Sequence, residues 1–175
     1  RGAASYDAGE YALAAQQLSR ADAIVANDVA LELALKAAVK ANDALLTMDL
    51  AARADTRQSP ALLAARDDAR AKMGPRTGRV TVFCAPRTAA CTATFDDGAF
   101  PVNQARWVLA GEHRVVVTDS ASKSRQAFRV RVDPAAAVEV VPSAVPVFAP
   151  APANTSSENK ESKDTSRDAP TSRRS

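Results

Sequence analysis

The chain has 175 residues, of which 46% are hydrophobic and 25% charged, and its net charge of +3 is not concentrated in any segment. That length suits one domain or two small ones. Much of the apolar share is Ala, which buries little area, so thin cores are expected. No run of about 18 apolar residues is present to span a bilayer, and no stretch is basic enough to argue for nucleic acid.

The opening RGAASYDAGEY lacks an initiator Met and reads as the end of one helix, a turn and the start of the next. The chain is therefore expected to be a fragment whose signal peptide or anchor would lie upstream. From Ala3 to Lys72 helix formers dominate, with no Pro before Pro60. EYALAAQQLSRADAIV sets Leu13, Gln17, Leu18, Ala21, Ile24 and Val25 at helical spacing and leaves Gln16, Arg20 and Asp22 for solvent. NDVALELALKAAVKAND repeats the pattern with Leu31, Leu35 and Val39, behind an N-cap at Asn27 or Asp28. A third helix over Ala44 to Thr56 carries Leu46, Met48 and Leu50. Ser59-Pro60 starts a fourth, which Gly74-Pro75 ends. Short connections make this zone, 1–74, a set of antiparallel helical hairpins.

From Gly78 the period switches to two. RVTVFC puts Val80, Val82 and Cys84 on one face, CTATF does the same for Cys91, Ala93 and Phe95, and AFRVRV for Phe128, Val130 and Val132. WVLA, HRVVV and AVEVV supply further strands, with turns at FDDG, AG and DSASKS. The expectation for 78–142 is a small antiparallel β-sandwich, and for the whole an α+β chain. Residues 143–175 are rich in Pro, Ser and charge and are expected to be a disordered tail. Its Asn154-Thr155-Ser156 is a glycosylation sequon only in a secretory eukaryotic host.

Two resemblances follow from these residues. GEYALAAQQLSRA (9–21) and NDALLTMDLAARA (42–54) match at an offset of about 33, near the period of roughly 34 of tetratricopeptide repeats. The first resembles the middle of such a repeat, with Gly9 in the turn, Tyr11 after it, and small Ala14 and Ala21 where helices approach. The second lacks the turn Gly and the aromatic. GRVTVFCAPRTAACTATFDDGAFPVNQARWVLAGEHRVVV resembles a PEGA domain, a small β-module of bacterial surface and envelope proteins. Pro86 and Ala89 flank its first turn, Asp97-Gly98 close the second strand, Pro101 follows, and Gly111 and His113 belong to the Ala-Gly-x-His hairpin. Arg87 and Thr88 depart from the naming motif. The resemblance implies architecture and an extracytoplasmic location; its motif residues are turn residues, so it brings no catalytic residue.

His113, the single His, is then read as a turn residue: no nucleophile, orienting acid or set of metal ligands accompanies it in the sequence. His113 facing a pocket with acidic neighbours would overturn this reading. Trp107 is read as the anchor of the sandwich core. Cys84 and Cys91 fall on one face, and a hairpin around APRTAA would bring them within disulfide reach in an oxidising compartment; two buried thiols are the alternative.

The expected function is a non-enzymatic scaffold of the bacterial envelope, in which the helical repeats bind an unidentified protein partner and the β-module associates with the envelope or surface. No catalytic residue, cofactor, metal, nucleic acid or membrane span is assigned to it. The alternative is an accessory region of a receptor-type serine/threonine protein kinase whose catalytic domain lies outside this sequence. An enzyme within the chain is a third, weaker reading, because paired acids occur only at Asp67-Asp68 and Asp96-Asp97.

Overall fold

A computed structural model describes residues 1–87 and 89–142. The tail reading for 143–175, its sequon, and Thr88 of the turn motif lie outside the described residues. Five helices come first: α1 (Gly2–Asp7), α2 (Tyr11–Ile24), α3 (Asp28–Lys40), α4 (Ala44–Ala54) and α5 (Pro60–Met73). Their starts follow from side chains that complete the first turn. Asn27, Asp43 and Ser59 each accept a hydrogen bond from the backbone N–H three residues on, at Ala30, Leu46 and Leu62, satisfying donors that a helix start leaves unpaired.

The internal match of 9–21 with 42–54 is a match of backbone geometry as well as of sequence. The N–H groups of Ala8, Gly9 and Glu10 bond to the carbonyls of Ala4, Tyr6 and Ser5 at 3.0, 3.1 and 2.9 Å. At the same offset, those of Ala41, Asn42 and Asp43 bond to Ala37, Val39 and Ala38 at 2.8, 3.1 and 3.1 Å. Gly9 sits at φ +80° and Asn42 at φ +59°. Asn enters this left-handed region more readily than other side chains, so the second turn keeps its shape without Gly. Each helix packs on the next, and α3 also packs on α5.

The helical core is mostly Ala and Leu, and it departs from the expected face of α2. The buried stripe there is Ala14, Ala15, Leu18 and Asp22. Leu13, Ile24 and Val25 are exposed, at 44%, 83% and 68%, because a stripe stepping by four from Ala14 leaves them to its sides. Asp22, assigned to solvent by its polarity, is buried. Its carboxylate accepts from Arg53, from Arg57 Nη2 at 3.2 Å and from the Asn27 backbone N–H at 3.0 Å. Paired in this way, a buried charge is tolerated, and here it ties α2 to the end of α4.

A 3-10 turn, Gly74–Arg76, leads into seven strands: β1 (Thr77–Val82), β2 (Cys91–Phe95), β3 (Gly98–Phe100), β4 (Ala105–Leu109), β5 (Gly111–Asp119), β6 (Arg125–Val132) and β7 (Ala137–Val140). They form a three-stranded sheet, β4-β1-β7, and a four-stranded sheet, β3-β2-β5-β6. Val80, Val82, Val108 and Val140 of the first sheet face Ala93, Val115, Val117 and Val132 of the second. This two-layer arrangement corrects three expectations. The sheets are not wholly antiparallel, since β1 and β7 run parallel. The short strand β3 was not foreseen. The segments around APRTAA and at Ala110-Gly111 are not hairpins, because β1 and β2, and likewise β4 and β5, belong to different sheets. Both connections cross from one layer to the other.

Trp107 is not in the sandwich core. Alternation along β4 turns Val108 inward and Trp107 outward, where it packs with Ala44, Met48 and Met73 of the helical zone. Buried Thr77 closes the same seam by donating its hydroxyl to the Met73 carbonyl at 3.3 Å. The helices and the sandwich therefore share an interface within one compact body.

Candidate functional site

The residues singled out in the sequence gather at the two ends of the sandwich. At one end the β2–β3 connection is a two-residue turn: Phe95 pairs with Gly98, and Asp96 and Asp97 between them have φ of +47° and +67°. Two successive positive φ values define the turn type whose twist suits a hairpin. The turn therefore lies one residue earlier than Asp97-Gly98, and Gly98 opens β3. Nearby, Gly111 takes φ +145°, which lets the chain leave the first sheet at Leu109 and enter the second at once.

His113 braces this corner. Its Nδ1 lies 2.6 Å from Asp96 Oδ2 and its Nε2 lies 2.8 Å from the Leu109 carbonyl, while its ring packs 4.6 Å from that of Phe95. Asp96 Oδ1 also accepts the Arg114 backbone N–H at 2.9 Å. The hydrogen bond from His113, followed by that from Arg114, holds the Asp96 carboxyl below the ordinary carboxylate range. Local spacing does not pair this acid with His113, because it lies in a turn 17 residues away.

A groove of about 600 Å³ opens at the corner, and His113 and Asp96 line it together with Glu112, Arg114, Phe128 and Arg129. This is the pocket with acidic neighbours that counts against reading His113 as a turn residue alone, and an acid next to a His resembles a base with its orienting partner. A general base needs a ring nitrogen free to reach a substrate proton. Both nitrogens of His113 already face protein oxygens, and one of them, Leu109 O, belongs to the opposite sheet. The ring joins three pieces of backbone.

At the other end, Cys84 and Cys91 form a disulfide with Cα atoms 5.7 Å apart. Cys84 follows β1 and Cys91 opens β2, so the bond links the two sheets across their junction. The sulfurs meet, but not by the expected hairpin. In the loop between them, Pro86 follows a cis peptide and its carbonyl accepts the Ala89 N–H at 2.8 Å. Arg87 lies 4.0 Å over the Phe83 ring and 3.5 Å from Glu139. Pro101, after β3, precedes the bridge between Val102 and Val82.

Among the described residues no cluster of three or more His, Cys, Asp or Glu is placed to hold a metal, and no helix is long and apolar enough to cross a membrane. Comparison with family models, with curated proteins and with solved structures finds no match to this chain.

Proposed function

We propose that this chain is a non-enzymatic interaction module of the bacterial envelope, in which tetratricopeptide-like helices bind a protein partner and a PEGA-like β-module supports them. The observation that carries the reading is the turn at Gly9 and its copy at Asn42, with the same three hydrogen bonds at the same offset. On this reading α1 with α2 and α3 with α4 are successive units and α5 opens a third. The packing of α3 on α5 is the neighbour-on-neighbour stacking that gives repeat arrays their concave binding surfaces. The employment of His113 at both nitrogens favours a scaffold over a catalyst.

The disulfide supports the compartment, because such bonds persist where the surroundings are oxidising. The order of Asp97-Gly98, Pro101 and Gly111-Glu112-His113 along the chain, as in the family it resembles, supports the envelope assignment.

Photo-crosslinking in cells tests the whole. A crosslinker placed at exposed Lys36 of α3 is expected to capture a discrete protein, and one at exposed Arg125, on the β-module, is not expected to capture that same protein. Alkylation of the protein from the same cells, without reduction, is expected to leave both cysteines unlabelled. Two labelled thiols would remove the compartment, and no discrete product at Lys36 would remove the helical binding role.

A further inference from the structure

The β6 strand ends the four-stranded sheet, and among the described residues its own, Arg125–Val132, pair only with β5. An edge of that length offers a row of free backbone N–H and C=O groups to any strand that can align with it. Alternation places Arg125, Ala127, Arg129 and Arg131 together on the exposed face of the strand. Arg114 of β5 stands directly opposite Arg129. Like charges facing each other across strands are destabilising, so this pair costs the isolated fold something.

The neighbouring acids are unevenly shared. Arg131 lies 3.1 Å from Asp133 and faces Glu112 across the strands. Arg114 has only a distant contact, 3.9 Å from Asp97. Among the described residues, Arg125 and Arg129 make no ion pair. Charge on an edge strand is a common guard against aggregation, and that accounts for β6 alone. It gives no reason for an arginine on the inner strand facing Arg129.

We propose that the β6 edge receives an extended acidic segment of a partner protein, which adds to the sheet as a further strand. Its backbone pairs with β6, and every second side chain, Asp or Glu, comes beside Arg125 and Arg129, drawing Arg129 away from the like charge of Arg114. Strand addition derives affinity from main-chain bonds and selectivity from alternate side chains. A second copy of this chain is the wrong occupant, because β6 against β6 would bring two arginine rows together. This surface rests on the β-module's own geometry and stands apart from the helical binding role.

The test titrates the full chain with an eight-residue peptide alternating Glu and Val, and reads backbone amide exchange. Slowed exchange along β6 is expected. Arg129→Glu should weaken binding about tenfold, a size set by loss and reversal of exposed ion pairs, and Arg125→Glu should act in the same direction; circular dichroism checks that both variants fold. N-methylation of alternate peptide amides should abolish binding. Three results would overturn the proposal: no slowing along β6, equal binding by the N-methylated peptide, which would mean a merely basic surface, or β6 protection arising from self-association without peptide.

Discussion

The two ends of the sandwich solve one problem by different means. Where the chain crosses from β1 to β2, a covalent bond between Cys84 and Cys91 holds the layers together. Where it crosses from β4 to β5, one imidazole does so, reaching Leu109 on one layer and Asp96 on the other. The difference teaches what each closure responds to. The first is indifferent to protons and opens with reductant; the second is indifferent to reductant and depends on charge. A core built almost wholly of Val and Ala contributes too little apolar burial for either crossing to be left unpinned.

The largest effect is expected at the covalent end. Replacing both cysteines by Ala should cost about 2–3 kcal/mol, the chain-entropy value for so short a loop, read as a lower urea midpoint that is the same at every pH. A loss that varied with pH would erase the contrast between the ends.

Near the other end the layers approach closely at Gly78, where a Cβ would lie 2.4 Å from Val132 Cγ1 and 3.0 Å from the Ala136 carbonyl. Backbone on one side leaves little room to give, so Gly78→Ala should cost about 2 kcal/mol, as overpacking does. Unchanged thermal stability would mean that the layers slide more freely than the disulfide end suggests.

Removing the imidazole by His113→Ala should cost about 1–2 kcal/mol, as the hydrogen bond to the Asp96 carboxylate and the packing on Phe95 are lost. Amide exchange should quicken at Gly111 and in the Asp96–Asp97 turn before it does so around Cys91. Uniform quickening would show that the brace is not local.

The smallest effect is the acid limb. The Asp96 carboxyl is held below its unfolded value of about 3.9. Its contribution is therefore full above that value and is lost as pH falls through the lower, folded one. In His113→Ala the main cause of the lowering is gone, so less stability should disappear as pH falls below about 4. Acid titrations of the two proteins that overlay would contradict this.

Much of this fold was legible because its signals are local. The caps at Asn27 and Ser59, the Pro60 start and the alternation in β1, β2 and β6 all lie within a few residues of what they specify. Sheet membership was not legible. Both layers of a sandwich turn the same kind of residue inward, so alternation tells which side of Val80 or Ala93 faces the core and not which sheet holds it. Consecutive strands usually pair, and that expectation misplaced both crossings.

The partners of Asp22 and Asp96 were not legible for a related reason. Each is explained by partners far along the chain, Arg53 and Arg57 for the first and His113 for the second, with separations of 31, 35 and 17 residues. Trp107 was misjudged by its size, when its phase relative to Val108 already pointed it the other way. The disulfide was named on a premise that the two-layer arrangement does not share. Same-face spacing suffices for Cys84 and Cys91 to meet at a crossing as well as in a hairpin.

Trp107 is the chain's single tryptophan, and its place against Met48 and Met73 gives it a diagnostic use. Its emission follows the separation of the helical layer from the strands, whereas far-ultraviolet dichroism follows the loss of either. If the seam parts first, the fluorescence transition will precede the dichroic one; if the two coincide, the halves melt as one cooperative body.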